Sequence, residues 1–352
     1  MKKIYYIAVV FAILFLAGCG DGIDLPGVNV ETDLNKIPLP DNNVNLEQVE
    51  LKPSTEPMLH EGLHTEEDFQ RIRDKKAAGE EPWVSAYQLL VESQFSQKTA
   101  DTYPTEWIKR GVSGDENYMN AARGATIAYQ QALRWKIEQD DEYAAKAVEN
   151  LNKWVQTCVG VTGNTNLSLA AGLYGYEFAI AGELLRDYEG WDRADFAAFQ
   201  NWLLKVFYPA NDDFLKRHHD TNALHYWANW CLCNIAAKMA IGIVTDRRDI
   251  YNEGIGHLQT GDTNGRLRRA IYHDYAPDYN FAQWQESGRD QGHTLMCVGL
   301  MGVICQLAWS QGDDFFAYDD NLFMRACEYA ACCNYTNETV PYTTYIWQKQ
   351  SQ

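Results

Sequence analysis

From residue 66 to residue 334 the sequence keeps returning to one pattern: apolar side chains at helical spacing, then a short connection holding Gly, Asp or Asn. Helices are predicted over 66–78, 82–93, 117–137, 141–155, 164–188, 192–207, 228–244, 248–258, 288–310 and 315–334. The 117–137 segment carries Ala121, Ala125, Ala128, Ala132 and Trp135 on one stripe. The 164–188 segment is apolar nearly all round, as an inner helix would be. Period-2 alternation hardly appears, and no stretch alternates strands with helices. Short connections favour antiparallel helical hairpins. Amphipathic outer helices alternating with apolar inner ones give an all-α fold, an (α/α) toroid of hairpins. An α-solenoid is second, since no repeat of fixed period is present.

The N-terminus is set apart from this fold. Lys2 and Lys3 precede an apolar run from Ile4 to Leu16, too short for a comfortable membrane span. Leu16-Ala17-Gly18-Cys19 then has the form of a lipobox, which predicts lipidation of Cys19 and export as a membrane-tethered lipoprotein, in the periplasm or on the outer-membrane surface. Residues 20–60 read as a linker: five of the ten prolines lie there among Asn and Asp, with no aromatic residue. Such a stretch buries too little apolar surface to offset its ordering entropy. Residues 61–352 remain for one helical domain.

A net charge of −18 argues against a nucleic-acid partner. It also sits awkwardly with a polyanionic substrate. Lys216-Arg217, Arg247-Arg248 and Arg266-Leu267-Arg268-Arg269 form either a local positive field or three solvated surface runs, and the sequence leaves both open. Of the nine cysteines, the eight after Cys19 lie in apolar helical contexts and read as small buried hydrophobes. A disulfide among them is open and unassigned, and their spacing does not suggest zinc. His218-His219-Asp220 reads as a solvated basic loop rather than a metal site.

Two polar clusters could carry chemistry. Residues 283–293 read Gln-Trp-Gln-Glu-Ser-Gly-Arg-Asp-Gln-Gly-His; as a helix they would put Gln285, Arg289 and His293 on one face. Gly288 and Gly292 would cost about 1 kcal/mol each in a helix interior, so something is expected to approach the backbone there. Residues 221–230 place His225, Tyr226, Trp227, Asn229 and Trp230 at the mouth of an apolar helix. That cluster alone is equally a capped helix start. Together the two can face one cavity.

Trp227-Ala228-Asn229-Trp230, Ala240-Ile241-Gly242-Ile243 and the 285–294 block, followed in order by Ala308-Trp309, Gln311-Gly312, Tyr329-Ala330 and Asn334-Tyr335, resemble the alginate-lyase superfamily of polysaccharide lyases. The resemblance covers roughly residue 60 to the end. It implies an (α/α) toroid that cleaves 4-linked uronates by β-elimination, with an acidic polysaccharide as partner and no cofactor. It also implies Asn229 and Arg289 as neutralisers of the sugar carboxylate. His293, with His225, is expected as base or substrate contact and Tyr226, ahead of Tyr275 and Tyr279, as proton donor. Gln285, Trp227, Trp230 and Tyr279 are expected to bind sugar, with Glu286 and Asp290 orienting Arg289 and His293. Two departures stand out. Cys231 replaces an expected polar residue, and the chain stops soon after residues 341–345, which implies a toroid incomplete at its C-terminus. A paired-carboxylate glycoside hydrolase and a non-catalytic glycan-binding lipoprotein are the alternatives. Oligomeric state is not legible.

Overall fold

The structure, a computed structural model, describes residues 54–335, 339–347 and 350–351. The lipobox cysteine Cys19 and linker residues 20–53 lie outside them. The described residues divide into two compact units, one of residues 54–219 and 233–255, the other of residues 220–232 and the described residues from 256 onward.

The first unit is built of helices joined by short turns. Helices α1 (Glu66–Ala77) and α2 (Trp83–Glu92) open it. Thr65 caps α1 with a reciprocal capping box to Asp68, whose side chain returns to the Thr65 amide at 3.0 Å. Strand β1 (Trp107–Arg110), helices α3 (Tyr118–Glu138) and α4 (Asp141–Thr157) and strand β2 (Gly160–Gly163) follow, with β1 and β2 paired in parallel. Next come α5 (Leu167–Leu184), α6 (Arg193–Val206) and α7 (Tyr208–Arg217). Gly124 lets α3 and α4 close together: a Cβ there would fall 2.2 Å from the Trp154 indole nitrogen. Helix α5 is buried almost all round, as its composition predicts. Its Phe178 meets Trp154 and Trp202 at ring separations of 5.2 Å, and Phe207 at 5.9 Å. These rings form the centre of the unit's core.

Helices α8 (Ala228–Val244) and α9 (Arg248–Thr260) divide their residues between the units. In the second unit follow α10 (Leu267–Ala270), the antiparallel strands β3 (Ile271–Asp274) and β4 (Ala282–Trp284), α11 (Gln291–Ser310) and α12 (Tyr318–Tyr335). The short pair β5 (Ile346–Trp347) and β6 (Gln350–Ser351) follows. Trp284 is fully buried, donates its indole N–H to Ala326 O at 2.9 Å and meets Phe323 edge-on. It therefore pins β4 to α12.

The fold is mostly helical, as the helical periodicity predicted, with three two-stranded pairs among the described residues. Four local expectations are corrected. Residues 208–217, outside the predicted helices, form helix α7, with Pro209 in its first turn. Helix α5 starts at Leu167 and ends at Leu184, inside the predicted 164–188. Helix α11 starts at Gln291, not at residue 288: residues 282–284 are strand and 285–289 turn, so Gln285, Arg289 and His293 do not share a helix face. His218 is not solvated. It is 2% exposed and packs its ring on Phe214 at 5.0 Å, while His219 bonds the Ser168 hydroxyl at 2.9 Å. The eight described cysteines are all free thiols, seven of them buried and Cys333 partly so.

Candidate active site

A helix start leaves backbone amides without intrahelical acceptors. In α8 the acceptors come from the 285–290 turn, some sixty residues later in the chain. Gln285 Oε1 accepts from the Ala228 amide at 3.1 Å, and Glu286 Oε1 from the Asn229 amide at 2.7 Å. Glu286 Oε2 also accepts from Asn229 Nδ2 at 3.0 Å, so Asn229 is held by backbone and side chain together. A carboxylate at a helix N-terminus is further favoured by the helix dipole. The two polar clusters picked out in the sequence thus meet in one unit.

Glu286 is fully buried and both its oxygens are in use. Besides Asn229 it accepts from Cys297 Sγ at 3.2 Å and from Arg289 Nη1 at 3.1 Å. Burial pushes its carboxyl above the ordinary range, against the pull of those donors and of the Arg289 charge. Arg289 is tied to Glu286 at one nitrogen and lies with its guanidinium 5.3 Å from the centre of the Trp227 ring. Its side chain keeps 28% of its surface exposed. The junction therefore presents an arginine whose position is fixed from behind by a carboxylate and from below by an indole.

Asp290 is the N-cap of α11. Its Oδ1 accepts from the His293 amide at 2.7 Å, and its Oδ2 bonds His293 Nδ1 at 2.6 Å. Partial burial raises the Asp290 carboxyl, but the two His293 bonds and the nearby Arg289 charge outweigh it and hold it below the usual carboxylate value. With Nδ1 occupied by a carboxylate, His293 offers Nε2 as a proton acceptor. Gly292 fits this cap: a Cβ there would press on Asp290 Oδ1 at 3.3 Å. That close approach within the protein accounts for the glycine.

The remaining sequence-predicted residues fall into two groups. Gln285 and Asn229 turn inward, at 4% and 2% exposure, with the contacts just given. Tyr226 is buried too, its ring 4.9 Å from His225 and 4.7 Å from Trp230. Its carbonyl accepts from Asn264 Nδ2 at 2.8 Å. His225 and Tyr279 are exposed, while Trp227 and Trp230 are half-buried. Cys231 is buried and makes contact with Thr263 and the Asn264–Gly265 backbone. It belongs to the packing of this wall rather than to its open side.

Tyr275, second to Tyr226 as a proton donor in the sequence, belongs to a layer of hydrogen-bonded tyrosines. Tyr275 OH donates to Gln283 Oε1 at 2.5 Å and lies 3.0 Å from Thr343 Oγ1; Gln283 Nε2 donates to Ser287 Oγ at 3.0 Å. Tyr345 OH donates to Gln285 O and accepts from the Gly288 amide at 3.1 Å. A hydrogen-bonded chain thus runs from Tyr275 into the turn that carries Arg289. Burial pushes the Tyr275 phenol up to about 12. The sequence signal was present, in Tyr275 directly after β3 and Gln283 within β4, but such short strands leave no periodicity.

The basic runs are largely met by local acids. Lys216 pairs with Asp212, Arg217 with Asp213, Arg247 with Asp249, and Arg268 with Asp319 and Asp274. The pairs of Lys216, Arg217 and Arg247, exposed to solvent, contribute little net field.

Solved structures first give the class. Alginate lyase A1-III from Sphingomonas species A1 superposes with a TM-score of 0.54 at 13% identity, over 78% of this chain and 78% of that one. A tyrosine-to-phenylalanine variant of alginate lyase A1-III, complexed with a tetrasaccharide, gives 0.55 at 12%, over 78% and 77%. An alginate lyase from Bacteroides ovatus gives 0.56 at 15%, over 76% and 82%. These likenesses show the fold, that of the (α/α) toroids. No curated protein matches in sequence. Residues 72–338 match the alginate lyase family, and the chain belongs to that family of polysaccharide lyases.

Proposed function

We propose that the protein cleaves 4-linked uronate polymers, alginate or a glucuronan, by β-elimination at the Arg289–His293 edge. The observation that carries this reading is the double anchoring of that edge. Glu286 fixes Arg289 against Trp227, and Asp290 fixes His293, while both side chains keep an open side. Loss of the C5 proton places negative charge on the neighbouring carboxylate. Arg289 stabilises that charge by hydrogen bonding in a fixed geometry. His293 Nε2 takes the C5 proton, with Asp290 stabilising the imidazolium that forms. The C5 electron pair forms the C4–C5 double bond, and the bond from C4 to the leaving O4 breaks.

A tyrosine supplies the proton to O4. We assign Tyr275 rather than Tyr226, because Tyr226 is enclosed between His225 and Trp230, whereas Tyr275 is half-exposed and wired to the Arg289 turn. A phenol held near 12 stays protonated and able to donate at neutral pH. Asn229 acts by holding Glu286. Trp227, with Trp230 and the exposed Tyr279, offers ring faces to the sugars. Hydrolysis is disfavoured here, since it needs two open carboxyls and both Glu286 oxygens are taken. Through Cys19 the enzyme is tethered to a membrane after export.

The test is a product assay over a panel of polyuronates. Ultraviolet absorbance from a new C4–C5 double bond is the expected result on at least one polymer. New reducing ends without that absorbance would establish hydrolysis instead, and binding without any product would establish a glycan-binding protein.

A further inference from the structure

Residues 221–227 enter helix α8 as a loop whose Thr221, Asn222, Leu224 and His225 are exposed. Within it the Asn222 side chain accepts from the Leu224 amide at 2.8 Å, and Asn222 O accepts from the His225 amide at 2.9 Å. These bonds shape a local turn but do not decide where the loop sits in its unit. Asn264 decides that. It is 7% exposed and lies 40 residues beyond Leu224. An amide side chain has two N–H groups to give. Asn264 Nδ2 bonds Leu224 O at 3.1 Å and Tyr226 O at 2.8 Å, the carbonyls of the residues on either side of His225.

The second bond bears on Trp227. Tyr226 O belongs to the peptide group before Trp227, and the Ala228 amide, held by Gln285 Oε1 at 3.1 Å, belongs to the peptide group after it. A residue has only two soft backbone dihedrals, and anchoring both flanking peptide planes fixes them. The Trp227 indole is thereby aimed at the Arg289 guanidinium, 5.3 Å away. Asn264 is itself held. In its buried turn of residues 263–265, Thr263 Oγ1 accepts from the Gly265 amide at 3.1 Å, and Thr263 O from the Arg266 amide at 3.1 Å. The Cys231 thiol, in the first turn of α8, bonds the Thr263 side chain and the Asn264–Gly265 backbone. The helix thus fixes the turn, and the turn fixes the loop that starts the helix.

We propose that Asn264 is a positioning residue for sugar binding: by holding Leu224 O and Tyr226 O it sets Trp227 against Arg289. The brace stands on its own geometry; its effect on a polymer rests on the proposed function. Asn264 lies buried behind the loop, so its loss acts through Trp227 and is felt in KM more than in kcat.

The experiment is a double-mutant cycle of Asn264→Ala and Trp227→Ala in the full chain, read by kinetics on the best-cleaved polyuronate. Fluorine NMR of 5-fluorotryptophan-labelled protein follows the ring directly, with Trp227→Phe assigning the Trp227 resonance. Each single variant is expected to raise KM about tenfold, with kcat changed far less. The double variant should lose no more than about twofold beyond the worse single, because both remove the same contact. In Asn264→Ala the Trp227 resonance should shift or broaden, while those of the first unit's tryptophans stay in place. Asn264→Asp, which turns an oxygen towards both carbonyls, should do at least as much. Should the alanine variant fail to fold, Asn264→Ser, which keeps a small polar side chain, is read in the same way. Losses that multiply in the double variant, or a Trp227 resonance unmoved by the exchange at Asn264, would overturn this role. Failure of the lyase reading would instead appear as absent cleavage by the wild type with the resonance change intact.

Discussion

Asp290 grips His293 twice, through the backbone amide at 2.7 Å and through ring Nδ1 at 2.6 Å. One carboxylate thereby starts helix α11 and sets the tautomer of the histidine. The two jobs are separable by chemistry. Asparagine caps a helix about as well as aspartate but cannot supply the charge that stabilises an imidazolium. Asp290→Asn should therefore leave the melting temperature nearly unchanged and lower kcat about 10–100-fold, with KM little affected. Equal losses in stability and turnover would reduce Asp290 to a cap.

Glu286 accepts from four donors with no solvent contact. Removing it strands the Asn229 amide and leaves Arg289 without its principal carboxylate. Glu286→Ala should cost about 3–5 kcal/mol by chemical denaturation. Glu286→Gln keeps part of the network and should cost about 1–2 kcal/mol. A neutral effect of Glu286→Ala would mean that the 285–290 turn is not what fixes the start of α8.

The first unit contains a carboxyl held against ionisation. Burial pushes Glu177 up to about 8, against donors on Tyr176 and Thr126, and its Oε2 has no partner. The unfolded chain ionises this group near the ordinary carboxylate value, while the folded chain keeps the proton until about pH 8. Its contribution to stability is therefore present in acid, declines as pH rises between those two values, and then levels off. Glu177→Gln should match the wild type near pH 4 and exceed it at pH 8 by roughly 2–4 kcal/mol in denaturant titrations. Parallel curves at the two pH values would contradict this assignment.

The lipobox makes a claim of a different kind. Lys2-Lys3, the apolar run and Leu16-Ala17-Gly18-Cys19 imply a mature N-terminus at lipidated Cys19. Membrane fractions of cells making the wild type should contain the protein with a lipid-modified N-terminal peptide by mass spectrometry. Cys19→Ala should not be lipidated or cleaved at that site. An unmodified Cys19 within a longer N-terminal peptide would overturn the lipoprotein reading.

The helices were legible because periodicity accumulates over long segments. Tyr118–Glu138 and Ala228–Val244 present enough turns for the apolar stripe to decide, and the observed ends lie within a residue or match. The 285–290 turn was not legible as a turn. Its Gln, Glu and Asp read as a polar helix face, although each makes a cap: Gln285 and Glu286 to the start of α8, Asp290 to the start of α11. Capping at a distance in sequence leaves no local pattern. The pairing of Asn229 with Glu286 was foreseen only as proximity, and the Tyr275–Gln283–Ser287 chain not at all, since a three-residue strand has no period to read.

The central claim is that the Arg289–His293 edge performs the elimination. The most direct measurement is initial-rate double-bond formation on the best polyuronate by wild type, Arg289→Ala and His293→Ala, each checked for an unchanged far-ultraviolet circular dichroism spectrum. Removal of a positioned acid–base group typically forfeits about 10²–10⁴-fold, and each variant is predicted to lose at least the lower figure in kcat. Wild-type turnover in either folded variant would contradict the account.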